Sequence, residues 1–465
     1  MGDSSFIASR RSLLRAGFGA AVGASLASLV PHRVLLARTT TGREQWLSEA
    51  RAIVARIRTP NFPLREKELQ VGALSEAHQA RDLIQRTIDE FARDGGGTIR
   101  VGAGEWSLQG PLRLKSNVRL HLEAGAHLLF ADDPDLYLPA VLTRWEGTET
   151  FGYSPFIYSY QAHNVAITGK GTISVEASKS SQWRSNEAWH QRELRRSGRS
   201  GKPVYERVHD DDGALAPSLI QFFGCSAVLV EGITTLSTPF WGIHFVYSHD
   251  VTVRDVTIKT MRVNNDGIDI DSSDHVLVER CTFETGDDCI AIKSGRDLDG
   301  RSIANPSESI VIRKCAMKHG KSAAVALGSE MSGGIRGVYL YDCVIDRVDT
   351  VLDIKSNLDR GGVVERIRAW NLSVDMSDTF FEVTTTYHSY SGGTFAPTIR
   401  DVAIVDSSVA QSKVGIQIKG ASESPVTDLF FENLSLQRCE TPMYSVNAKN
   451  VHIHQCRANG RELKS

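Results

Sequence analysis

The segment Val251-Thr252-Val253-Arg254-Asp255-Val256-Thr257-Ile258 returns one repeat later as Val276-Leu277-Val278-Glu279-Arg280-Cys281-Thr282-Phe283. In both, small or apolar residues hold the first, third, sixth and eighth places. Side chains alternate along a strand, so a kink after the third place puts all four on one buried side. Related units start at Val228, Ile310, Val338, Ile367, Val402, Leu429 and Val451. Their steps of about two to three dozen residues match one solenoid coil with loops of varying length. The sixth place is filled by Ile233, Val256, Cys281, Cys315, Cys343, Leu372, Ser407, Leu434 and Cys456, an interior ladder suited to small or apolar side chains. Propeller blades need four strands each and periods of about 40 residues, longer than these. The expected architecture is all-β, a right-handed parallel β-helix.

Further upstream, Val118-Arg119-Leu120-His121-Leu122 and Val165-Ala166-Ile167 carry the same pattern, so the solenoid is expected over residues 95–465. Within residues 39–94, Ser75 to Arg93 reads as an amphipathic helix with Leu83, Ile84, Thr87, Ile88 and Phe91 on one face and Gly95-Gly96-Gly97 as its stop. Such a helix can cap the open end of a stacked core. Glu176 to Ser218 lacks the strand frame and is read as an insertion. Its Trp183, Trp189 and Tyr205 alternate with Lys179, Arg184, Arg192, Arg195, Arg196, Arg199, Lys202 and Arg207, which form either a solvated loop or a cleft wall suited to an acidic polymer.

Ser9-Arg10-Arg11-Ser12-Leu13-Leu14-Arg15 precedes a weakly apolar run from Ala16 to Val30. This is the pattern of a twin-arginine export signal over residues 1–38, with cleavage near Ala37 and a destination in the periplasm or outside the cell. No other run approaches the roughly 18 apolar residues of a spanning helix, so no membrane span is expected. With 53 Lys+Arg against 55 Asp+Glu, net charge offers no case for nucleic-acid binding. The seven cysteines are odd in number, form no Cys-x-x-Cys and lack zinc spacing; they are read as mostly buried thiols. No cofactor and no metal are expected, and the chain is expected to be a monomer with both solenoid ends capped.

Two stretches exceed what solenoid packing requires: Asn264-Asn265-Asp266-Gly267-Ile268-Asp269 and Gly286-Asp287-Asp288-Cys289-Ile290-Ala291-Ile292-Lys293-Ser294-Gly295. Asp266 and Asp287 lie one coil apart, and coils stack at about 4.8 Å, so Asp266, Asp287 and Asp288 are expected to crowd one patch. Repulsion there raises at least one pKa and leaves a protonated acid beside ionised bases. That combination suits glycosidic hydrolysis, in which one carboxyl protonates the leaving oxygen and another activates water or attacks. The competing readings are a calcium site and ordinary Asp-Gly turns. Asp210-Asp211-Asp212-Gly213 has no comparable partner and reads as a turn or a weak cation site.

The two stretches together resemble the motifs of glycoside hydrolase family 28, the polygalacturonases. The resemblance runs from about residue 95 to the carboxyl end; it includes Phe240-Trp241-Gly242-Ile243-His244 and, similar to bacterial members, Gly328-Ser329-Glu330-Met331-Ser332-Gly333-Gly334. It implies a pectin-lyase-like β-helix that hydrolyses galacturonosyl linkages of pectic poly- or oligosaccharides, with inversion and without metal. By the same resemblance Asp287 is the general acid, and Asp266 and Asp288 position and deprotonate water. Expected substrate contacts are Asn264, Trp241, His244, Lys293, His319, Lys355 and Arg360.

Two departures bear on the sugar. Where the family has Gly-His-Gly, an ungapped count places Lys321-Ser322-Ala323, with His319-Gly320 nearby; and the family's Arg-Ile-Lys reads Asp353-Ile354-Lys355. An Asp opposite a substrate carboxylate is repulsive unless another group intervenes. Another pectic linkage, such as that of rhamnogalacturonan, is therefore an alternative. A calcium-dependent β-helical lyase and a noncatalytic carbohydrate-binding solenoid are the other two.

Overall fold

Val251, Val253, Val256 and Ile258 all point into the interior of the computed structural model, which describes residues 40–73, 79–176, 183, 187–211, 214–388 and 390–464. The export signal expected over 1–38, along with Lys179, Arg184 and Asp212-Gly213 of the insertion, lies outside the described residues. The chain folds as a right-handed parallel β-helix in which three rows of short strands pair, coil upon coil. One interior rung passes in register from Ile99 through Leu120, Ile167, Val230, Val253, Val278, Ile312, Leu340, Ala369 and Ile404 to Phe431. Each fully buried aliphatic side chain contributes about 1.5–3 kcal/mol, and the rung repeats in every coil, so the stack extends without a separate nucleus for each turn.

The sixth-place ladder is interior along its whole length. Cys281, Cys315, Cys343 and Cys456 each donate a thiol hydrogen bond to the carbonyl two residues back, each at 3.4 Å. Ser407 makes the same bond at 2.9 Å. All seven thiols are free and buried. Because serine already fits this place, Cys343→Ser should change unfolding free energy by no more than about 1 kcal/mol. A shift of the urea midpoint much beyond that would show that the thiol's polarisability, and not its size, matters here.

Helix α1 (Thr40–Arg56) had no counterpart in the sequence reading. Its Trp46 lies against Trp370 at 6.2 Å, Tyr339 donates to Glu49 at 2.8 Å, and Arg43 pairs with Asp406 at 2.8 Å. Just beyond it Arg58 reaches Asp250. A helix this long spans about 25 Å, or roughly five coils, so α1 braces the outside of the first strand row along the solenoid axis. Among the helix residues whose burial is described, only Trp46 and Ala50 are buried, too few to show as an amphipathic period.

Helix α2 (Gln79–Arg93) covers the first coil with Ala80, Ile84, Thr87, Ile88 and Phe91. The strand ladder starts earlier than residue 95, because Glu66–Leu69 pairs in parallel with Gly97–Val101. The insertion folds in part as helix α3 (Glu187–Ser200), which packs on helix α4 (Asp297–Ile303). A hairpin, Val141–Trp145 with Thr148–Gly152, also leaves the solenoid and takes Val208–His209 as a third strand.

Candidate active site

Ile268–Asp271 and Ile290–Lys293 pair in parallel, with Ile268 opposite Ile290 and Asp271 opposite Lys293. The isoleucines alternate inward, so Asp269, Asp271, Ala291 and Lys293 face outward. Carried back along the register, Asp266 stands beside Asp288, whose carbonyl accepts from Gly267 N–H at 2.9 Å. The expected stacking of Asp266 on Asp287 is thus off by one place, and Asp287 falls level with Asn265. Asn265 is fully buried and ties the preceding loop down, donating to Thr238 O at 3.0 Å and Phe240 O at 2.9 Å while accepting from Arg262 N–H at 2.8 Å. Gly286 lies so close to that loop that a β-carbon would meet Arg262 O at 2.0 Å, so only glycine fits there.

Asp288 is 2 % exposed and Asp266 3 %, whereas Asp287 is partly open to solvent. Asp288 accepts from Ser322 Oγ at 2.6 Å, Ala323 N–H at 3.0 Å and Lys355 Nζ at 3.0 Å. Burial alone would raise its pKa, but Lys355, Lys293 and these hydrogen bonds outweigh it and hold the carboxyl below its ordinary value. Asp287 moves the other way, raised by burial and by the negative charge of Asp288. Asp266 is raised well above the ordinary range by burial and by Asp269 and Asp287; Lys293, 3.7 Å from Asp266 and 3.6 Å from Asp269, only partly offsets this. Adjacent carboxyls are thereby driven apart in pKa, the condition under which one can donate a proton while its neighbour stays ionised.

A chain of alternating charge leads away from the aspartates. Lys293 lies 3.4 Å from Glu330; Glu330 pairs with Arg296 at 2.6 Å; Arg296 lies 3.8 Å from Glu146 at the hairpin tip; and Glu146 pairs with Arg195 of α3 at 2.6 Å. Arg360 stands 3.9 Å from Glu330 and pairs with Asp297. Burial would raise Glu330, yet Arg296, Lys293 and Arg360 hold it well below the usual carboxylate range. Above this chain, Arg199 at the end of α3 donates to Ser391 Oγ at 2.7 Å. The segment containing Ser391 is fastened by Asp359, which accepts from Ser391 N–H at 2.5 Å and Gly393 N–H at 2.7 Å. The insertion therefore forms one flank of the site. Its Trp183 packs in the core against Tyr137, Tyr153 and Phe156 and offers no sugar platform, while Trp189 and Tyr205 are exposed.

The family model "Glycosyl hydrolases family 28" matches residues 101–459. The chain belongs to glycosyl hydrolases family 28. It is a glycoside hydrolase of the polygalacturonase family. The crystal structure of a hyperthermoactive exopolygalacturonase from Thermotoga maritima is similar at 32 % identity with a TM-score of 0.81, over 88 % of this chain and 96 % of that one. A probable polygalacturonase of Vitis vinifera is 28 % identical over 361 residues, 75 % of this chain and 68 % of that protein. An exo-poly-alpha-D-galacturonosidase of Dickeya chrysanthemi is 26 % identical over 76 % of this chain and 64 % of its own length.

Against the family pattern, the structure sorts the expected residues into three groups. Asp266, Asp287, Asp288, Lys293 and Lys355 come together as described. His244 does not reach the cleft: it is completely enclosed, with Gln221 Nε2 2.9 Å from Nδ1 and Asp271 3.7 Å from Nε2. Arg360 is likewise 1 % exposed, donating to Ser329 O at 2.8 Å, and acts on the site through Glu330. Trp241 is buried between Phe240 and the Lys293 ammonium, 4.7 Å from each, so it backs Lys293 and is no open platform. Asn264 and His319 lie at the surface with positive φ, and among the described residues neither hydrogen-bonds Asp266, Asp287 or Asp288. His319 sits where the strand register slips between Phe283 and Thr285, and Ser322 and Ala323 meet Asp288 in its place.

Residues that sequence reasoning left out are Glu330, Arg296, Glu146 and Asp269. Glu330 and Asp269 stood inside quoted motifs, and Arg296 directly follows one. Glu146 carried no local signal, because its place in the site depends on a hairpin folding back onto Glu330 and Arg296: Arg296 N–H donates to Gly147 O at 2.9 Å.

Proposed function

We propose that this protein hydrolyses α-galacturonosyl linkages of pectic poly- or oligosaccharides with inversion, releasing sugar from a chain end. The observation that carries the chemistry is the opposed shift of neighbouring carboxyls, Asp287 up and Asp288 down. Asp287, partly accessible and holding its proton, donates to the leaving glycosidic oxygen. Asp288, ionised, takes the proton from the attacking water, and Asp266 beside it positions that water. Terminal cleavage is supported by the flank that α3 and the Ser391 segment build through Arg199. The likeness to an exopolygalacturonase points the same way. Arg10-Arg11 and the apolar run after them support export through the twin-arginine route to the periplasm or beyond, where a monomer would meet its polymer.

Early digests of polygalacturonate should contain small terminal products and no ladder of intermediate oligomers. A ladder would replace terminal with internal cleavage. New reducing ends without unsaturated products absorbing in the ultraviolet, at a rate unchanged by a chelator, separate hydrolysis from calcium-dependent elimination. Proton NMR of the first-formed anomer tests inversion, which requires carboxylates about 6.5–9.5 Å apart with water between them.

A further inference from the structure

Beyond Asp269 the outward row of the third strand set continues in register through Ala291, Ala326, Asp353 and Glu382. The two alanines are fully buried and pack with Ala323, and past them the row presents two partly accessible carboxylates, Asp353 and Glu382. The cations on this flank are already engaged. Lys355 lies 3.0 Å from Asp288 and 3.5 Å from Asp353, and Lys419 lies 3.2 Å from Glu382. An ammonium shared between two protein carboxylates has little attraction left for a third. Asp353 Oδ1 is buried and accepts no hydrogen bond among the described residues. With Oδ1 sequestered and Oδ2 3.5 Å from Lys355, the group's accessible edge keeps a negative charge that opposes a second carboxylate and can accept from a hydroxyl.

We propose that Asp353, backed by Glu382, is a specificity residue that selects an uncharged sugar unit, presenting hydroxyl donors, at the position next to the scissile bond on this flank. This rests on the galacturonosyl-hydrolase reading and names its substrate class: a pectic chain in which one of the two sugars flanking the cut lacks a free carboxylate. That unit can be a methyl-esterified galacturonate or a neutral deoxyhexose such as rhamnose.

The groups facing Asp353 are Lys355 on its own strand, Asp288 on the catalytic turn and Glu382 on the next coil; Ala326, in the preceding coil, does not titrate. Burial, with Asp288 and Glu382, outweighs Lys355 and pushes Asp353 up to about 6. As pH falls through that value Asp353 gains a proton and its repulsion ends, while a galacturonate carboxylate stays ionised.

The experiment measures kcat/KM of wild type and Asp353→Asn on three oligosaccharides of equal length: free-acid galacturonate, its methyl ester, and alternating galacturonate–rhamnose. Ratios between substrates are taken from pH 4.5 to 7.5, so ionisation of the catalytic groups cancels. Wild type at neutral pH should favour an uncharged arm over the free acid by about 10–100-fold, the range of one avoided like-charge contact. That ratio should shrink below pH 6. Asp353→Asn should remove most of the discrimination and flatten its pH dependence, with the thermal midpoint little changed. The faster uncharged arm identifies the sugar. A wild-type preference for the free acid, or a ratio that Asp353→Asn leaves unmoved, overturns the proposal. Turnover of no arm by wild type removes the galacturonosyl-hydrolase reading itself and takes this one with it.

Discussion

Asp287→Asn is expected to lower kcat by about 10²–10⁴-fold, the usual contribution of a positioned general acid, with KM little changed. The amide cannot donate a proton to a leaving oxygen, yet it keeps the size of the carboxyl and the acceptor that meets Asp288 N–H at 3.0 Å. The fold should survive, and the check is an unchanged melting curve beside single-turnover kinetics. The pH profile follows from the opposed shifts. Asp288 must be ionised, and its pKa is held low, so the acid limb lies below the ordinary aspartate value of 3.8. Asp287 must keep its proton, and its pKa is raised, so the rate falls as pH climbs through a value above 3.8. The window between the two limbs is the working range. Retention of a tenth or more of wild-type kcat in Asp287→Asn would assign the acid to another group.

The second large effect is on stability. Glu330 is almost fully buried among Lys293, Arg296 and Arg360, and its shortest contact is 2.6 Å to Arg296. Removing the anion that these three cations share leaves buried positive charge under-compensated, a change that costs about 3–5 kcal/mol. Glu330→Gln should lose unfolding free energy of that order in urea titration. Glu330 has a depressed native pKa, so its stabilisation is complete above the ordinary glutamate value of 4.5 and is lost as pH falls towards the depressed value. The acid limb of the stability curve should therefore be shallower in Glu330→Gln than in wild type. A variant as stable as wild type, with the same acid limb, would show that solvent or Glu146 already neutralises the cations.

The coil was legible in the sequence because a β-helix repeats one local rule, alternation with a kink, in every turn. Val251, Val253, Val256 and Ile258 obey it, and so does the ladder from Ile233 to Cys456. The cluster of aspartates was legible for a related reason: Asp266 and Asp288 occupy equal places in successive coils, so linear spacing converts directly into contact. The one-place error at Asp287 came from counting spacing without the strand register, which only the pairing of Ile268 with Ile290 supplies.

What only the tertiary structure decided are the parts that leave the solenoid, together with the direction in which side chains near the strand ends turn. His244 and Arg360 have the chemistry of substrate contacts, yet packing encloses both, His244 against Gln221 and Arg360 against Ser329 and Asp297. Arg195, Glu146, Arg296 and Glu330 come from an insertion, a hairpin tip, the start of a helix and a strand end, with no common period to announce them. Repetition carries local sequence into structure because each coil meets only its neighbours. A charge chain assembled from excursions depends on where several independent segments fold back, and that placement is a property of the whole chain.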